Sequence, residues 1–181
     1  MFNHGNKLGV LVAIVFGLFS YTGYGANLVL AQSGTTASSS DSEQKSKLVS
    51  LWQPGDPGQR MNIRGRVTTV DGTPVVGASI SVRQTDGNGE YHSDRYNARL
   101  ISDSKGGYQF ATVLPGQYYG IKHIHVWVTH DDYEYLDTRI IFKGDPNLDE
   151  STTSEAIFLE EGNVKGETVL YGRFDILLTP K

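Results

Sequence analysis

Val75-Val76-Gly77-Ala78-Ser79-Ile80-Ser81-Val82-Arg83-Gln84 decides the fold class. Ala78, Ile80 and Val82 alternate with Ser79, Ser81 and Arg83, so one face is apolar and the other polar. A period of two marks a half-buried β-strand, because successive side chains leave a strand on opposite faces. Asp71-Gly72-Thr73-Pro74 precedes this run and Asp86-Gly87-Asn88-Gly89 follows it, both dense in turn-forming residues. Outward from there, Met61 to Val70, Arg99 to Ser102, Tyr108 to Val113, His123 to Thr129, Leu136 to Phe142 and Thr168 to Thr179 read as further short strands. In the last of these, Phe174, Ile176 and Leu178 alternate with Asp175 and Leu177. No stretch beyond residue 31 sustains a helical apolar period, and Asp145 to Asn163, acidic and turn-rich, reads as a long surface loop. Strands at this spacing predict an all-β fold, an antiparallel β-sandwich.

The ends of the chain carry a different signal. Residues 1–31 read as a secretory signal peptide: Lys7 gives a weakly positive start, Leu8 to Phe19 is nearly unbroken apolar sequence, and Val29-Leu30-Ala31 offers a cleavage site. The apolar run falls short of the roughly 20 residues a membrane span needs, so the expectation is a secreted or periplasmic protein with no membrane contact after cleavage. An uncleaved N-terminal anchor is the alternative. Residues 32–47, Ser/Thr-rich with scattered charges, read as a flexible tether, and residues 48–181 as the folded domain. The chain has no cysteine, which excludes a disulfide framework and a lipoprotein anchor. Loss of Lys7 with the signal takes the formal charge from −4 to −5, and no basic stripe appears, which argues against a nucleic-acid partner. No nucleophile–base pair, phosphate loop or nucleotide fingerprint is present.

His123-Ile124-His125 is where chemistry concentrates. On a strand, His-x-His aims both imidazoles at one point, where they can share a metal ion with little backbone distortion. Pro115-Gly116-Gln117-Tyr118-Tyr119 lies just upstream, and a phenolate oxygen is a hard anionic donor suited to ferric iron. A lone tyrosine or histidine is more often a packing residue, so the inference rests on the set.

Taken together, several segments resemble the catalytic domain of the intradiol ring-cleavage dioxygenases, the protocatechuate 3,4-dioxygenase and catechol 1,2-dioxygenase family. They are Leu51 to Gly58, Gly65 to Ala78, Val82 to Tyr91, Ser102 to Phe110, Leu114 to His125 and Leu136 to Asp145, in family order. The resemblance implies the β-sandwich of that family and a non-haem Fe(3+) held by Tyr91, Tyr118, His123 and His125. Tyr119 is an alternative to Tyr118, and Tyr96 a weaker alternative to Tyr91. It further implies a small-molecule catechol and O2 as substrates, and ring opening between the two hydroxyl-bearing carbons to a cis,cis-muconate type product. Tyr118 is then the group that leaves the metal and takes a catechol proton.

Two positions depart from the family pattern. The arginine expected just before the first histidine is absent; Gly120-Ile121-Lys122 stands there, and Arg139 or Lys122 is left to supply the cation. The resemblance favours Arg139, which replaces a glutamine that in the family lies beside the missing arginine; Lys122 is weaker, because it precedes His123 and should face the other way on a strand. Arg83 stands where a tryptophan is usual. The short link from Tyr118 to His123 predicts a small, open pocket, and no helical lid or helical dimer interface is expected. Small exported members of the family imply environmental, lignin-derived catechols as substrates. Two other readings compete: a non-catalytic transthyretin-like or carbohydrate-binding module, and a zinc or copper site, which leaves the tyrosines unexplained. His92, His130 and the Glu160-Glu161 pair read as solvated.

Overall fold

A computed structural model describes residues 46–181. The expected signal segment and most of the tether lie outside the described residues. The elements in chain order are β1 (Val49–Ser50), β2 (Arg60–Thr68), β3 (Ser79–Arg83), β4 (Asn97–Ile101), β5 (Gly107–Val113), β6 (His123–His130), β7 (Tyr133–Ile141), α1 (Glu150–Glu155), β8 (Leu159–Val164), β9 (Glu167–Arg173) and β10 (Ile176–Leu177). Two sheets form. One runs β1-β5-β2-β9-β8 with β10 beside β2, and the other runs β4-β3-β6-β7.

The alternation in β3 does what the sequence predicts. Ile80 and Val82 are buried and Arg83 is exposed. From β6, Ile124, Val126 and Val128 enter the same core, where they meet Ile63 and Phe110 of the opposing sheet. Burial of such side chains, each worth about 1.5–3 kcal/mol, holds the two layers together. His123, His125 and Trp127 alternate with those core residues and therefore leave β6 on the face turned away from the second sheet.

Two expectations need correction. Asp145 to Asn163 is not a structureless loop: it holds α1 and most of β8. The helix has no buried residue and so no apolar period to detect; it is set by a capping box, Asp149 accepting from the Thr152 N–H while Thr152 Oγ1 accepts from the Asp149 N–H. Thr168 to Thr179 is not one strand but two, β9 and β10, broken at Phe174-Asp175. The β-sandwich expected from the sequence is present, and within its larger sheet β1–β5, β2–β9 and β2–β10 run parallel beside the antiparallel pairs. Among the described residues, no helix is long and apolar enough to cross a membrane.

Candidate metal centre

Strand geometry delivers the histidines. His123 Nε2 and His125 Nε2 lie 3.1 Å apart, with the rings edge-on at 4.7 Å between centroids. His123 Nδ1 sits 3.0 Å from the Ile121 carbonyl. A carbonyl can only accept, so the ring proton belongs on Nδ1 and the Nε2 lone pair faces His125. Burial, then the neighbouring His123, push the His125 pKa down, with Arg139 and Arg83 adding to the effect and Asp137 opposing it. A neutral imidazole with a free lone pair is the form that ligates metal.

Loops deliver the tyrosines. Tyr118 and Ile121 pair across a two-residue turn whose central residues, Tyr119 and Gly120, have φ of 48° and 101°. Positive φ at both positions is the hairpin turn whose twist matches the flanking strands. Tyr119 is thus lifted to the apex and is 88% exposed. Tyr118 is turned inward: its ring lies 4.6 Å from Tyr91 and 6.5 Å from His123. Tyr91, Tyr118, His123 and His125 form one contiguous line of rings, and Tyr118 rather than Tyr119 is the tyrosine adjoining both neighbours. Tyr96 is placed elsewhere, buried with φ of 54°.

Backbone contacts tie the Tyr91 loop to the Pro57-Gly58 segment through Gly87 and to the Tyr118 loop through Gly116. A Cβ on Gly87 would meet the Gly58 Cα at 2.4 Å, and one on Gly116 would meet the Gly89 nitrogen at 2.2 Å. Gly87 N–H donates to the Pro57 carbonyl at 3.0 Å and Gly116 N–H to the Asp86 carbonyl at 2.7 Å. The Asp86 carboxylate pins this junction, accepting from the Asn88 and Glu90 N–H groups and lying 3.0 Å from His92 Nε2. Burial pushes the Asp86 pKa up, but the bond to His92 and the two N–H donors outweigh it and hold it below the usual carboxylate range. His92 is therefore not a freely solvated residue, and nothing short of tertiary contact marks it so.

Asp86, Glu90 and His92 also bring three candidate ligand atoms within 4.8 Å of one another. Asp86 is committed to its loop, so this group is read as structural. Arg83 and Arg139 oppose His125 from β3 and β7 respectively, which puts both on its face of the sheet. Lys122 contributes its backbone N–H to Asp145 at 2.7 Å. A cavity of about 390 Å³ lies on the other sheet, lined by Arg64, Arg66, Tyr108 and Arg173 among others, and touches none of these residues.

The donor set fits a ferric ion. Two nitrogens bonded to one first-row metal at about 2.1 Å lie roughly 3 Å apart when mutually perpendicular, close to the 3.1 Å between the His123 and His125 nitrogens. Two phenolates beside two neutral imidazoles would leave a trivalent cation with one net positive charge.

Comparison with known proteins gives the family. The family profile described as "Dioxygenase" matches residues 34–180. The chain is 30% identical over 143 residues to chlorocatechol 1,2-dioxygenase of Rhodococcus opacus, which covers 64% of this chain and 52% of that protein. It is 30% identical over 116 residues to the protocatechuate 3,4-dioxygenase beta chain of Burkholderia cepacia, covering 52% and 49%. The chain therefore spans about half the length of the curated relatives it matches. Among solved structures, catechol 1,2-dioxygenase from Pseudomonas arvilla C-1 superposes with a TM-score of 0.66 at 21% identity, covering 74% of this chain and 56% of that one. The dioxygenase domain of a dioxygenase carbohydrate-binding protein fusion from Streptomyces sp. SirexAA-E gives 0.59 at 22% identity, covering 73% and 88%. The chain belongs to the dioxygenase family whose members of this fold are the intradiol, ring-cleaving enzymes.

Proposed function

We propose that this chain is an exported non-haem Fe(3+) dioxygenase that opens catecholic rings between the two hydroxyl-bearing carbons with O2, giving cis,cis-muconate type products. The observation that carries this reading is the unbroken line of rings from Tyr91 through Tyr118 and His123 to His125, with the two Nε2 atoms 3.1 Å apart. Export rests on the apolar segment of residues 1–31.

When bound, ferric iron supplies a Lewis-acidic anchor for both catechol oxygens and a route for their electron density toward O2. Tyr91, Tyr118, His123 and His125 would hold it. His123 is fixed by its bond to the Ile121 carbonyl, and Tyr91 by the Arg83 guanidinium 4.8 Å above its ring. Tyr118 sits on a turn at the rim and is only partly buried, so it can swing without moving the sheet. The hydrogen bond with Tyr119, then burial, push its pKa up. A raised pKa makes the Tyr118 phenolate a stronger base than an ordinary tyrosinate, fitted to accept a proton from the catechol hydroxyl. Arg139, beside His125, supplies positive charge on the face where the ring must lie.

Colour tests the reading. Protein loaded with ferric iron should show a visible tyrosinate-to-metal charge-transfer band, and should consume O2 with catechol, protocatechuate, hydroxyquinol or caffeate. Tyr118→Phe should shift that band, whereas Tyr119→Phe should leave it in place. A colourless protein that takes up no iron ends the proposal.

A further inference from the structure

Three side chains occupy one row across the site-bearing sheet: Arg83 of β3 opposes His125 of β6, which opposes Arg139 of β7. Directly opposed residues share a face and stand about 5 Å apart. The two guanidiniums therefore rise on either side of His125. Both residues are exposed. Arg83 lies over the Tyr91 ring at 4.8 Å. A cation–π contact of this kind supplies the guanidinium with no hydrogen-bond acceptor, so its N–H donors can still meet an oxygen pair. Among the described residues, no carboxylate forms an ion pair with either arginine; Asp137, two residues from Arg139 on the same face, does not do so. Arg139 alone can meet the ring of any catechol, so the second unneutralised cation in the row, Arg83, is one that a neutral catechol leaves unused.

Resting on the ring-cleavage reading, we propose that Arg83 and Arg139 form an anion clamp that selects catechols carrying a carboxylate side chain over neutral ones. The catechol oxygens turn toward His123 and His125, and the acidic group lies back along the row, between the guanidiniums. Arg83 also couples this choice to the metal, because the ring it covers is that of Tyr91. Held between two forks, a carboxylate accepts charge-assisted hydrogen bonds that a methyl ester cannot fully replace.

Caffeate and its methyl ester share one ring and one linker and differ in charge, so they isolate the clamp. Dissociation constants are measured by calorimetry on the iron-loaded full chain with oxygen excluded. Caffeate should bind about tenfold tighter than the ester or better, as expected for a charge-assisted contact. Arg83→Gln and Arg139→Gln should each collapse the acid-to-ester ratio toward one. Thermal melting and the visible band report whether Arg83→Gln has disturbed folding or Tyr91; Arg139→Gln, away from that ring, carries the test alone if it has. Equal affinities in the unaltered protein, or a ratio that survives both substitutions, overturn the clamp while ring cleavage stands. Failure of both ligands to bind, with no charge-transfer band, overturns the clamp together with the reading beneath it.

Discussion

The two halves of the candidate centre are built by opposite means. His123 and His125 ride on β6, a strand whose other face supplies Ile124, Val126 and Val128 to the core. Tyr91 and Tyr118 ride on loops with little apolar burial of their own, held by glycine backbones in contact and by one carboxylate. Period fixes the first pair. Tertiary hydrogen bonds fix the second. The strand half should thus tolerate loss of its ligands without loss of fold, while the loop half should lose geometry when its struts are cut.

The largest effect separates ligation from folding. His123→Ala combined with His125→Ala should abolish iron uptake, with affinity down more than about a hundredfold. Chemical denaturation should change little, since both rings face away from the core. A double variant that fails to fold would show that the strand half, too, depends on its site.

Next in size is Asp86→Ala. It leaves the part-buried Asn88 and Glu90 N–H groups without their acceptor, and should cost about 2 kcal/mol, at the low end of about 1–3 kcal/mol for each group left unpaired. The same carboxylate gives a pH signature. Its folded pKa is depressed, so its contribution is present above the ordinary carboxylate pKa and is lost as pH falls through the lower folded value. Stability measured by urea unfolding should fall in the acid limb below about pH 4, and Asp86→Asn should flatten that part of the curve. An unchanged acid limb would remove Asp86 as the pin.

Gly116→Ala is the finest probe. A methyl group 2.2 Å from the Gly89 nitrogen must push the two tyrosine loops apart. Destabilisation of about 1–3 kcal/mol is expected for such overpacking. The charge-transfer band should broaden or shift even where the protein stays folded, because Tyr91 and Tyr118 no longer keep their spacing. An unmoved spectrum would mean that the glycine contact does not set the site.

What could be read beforehand follows the same division. The face of β6 and the burial in β3 were legible because a strand writes its orientation into alternate residues. Parallel pairing of β2 with β9 was not, since residues near position 63 carry no mark of partners near position 172. The helix α1 escaped because it is polar on every side; only the Asp149–Thr152 spacing could have revealed it. The placement of Tyr119 at the tip, with Tyr118 turned inward, had a local signal: Tyr119-Gly120 occupies a two-residue hairpin turn. The bond from Asp86 to His92 had no such signal, as six residues of loop give no hint of which side chains fold back.

Because the imidazoles sit on the outer side of β6, the chemistry and the packing of this protein are written in interleaved but separate letters of one strand. Positions 123 and 125 can change what the surface does while 124 and 126 go on holding the layers together. A lineage could in principle retool or retire such a centre by single steps and never pass through an unfolded ancestor.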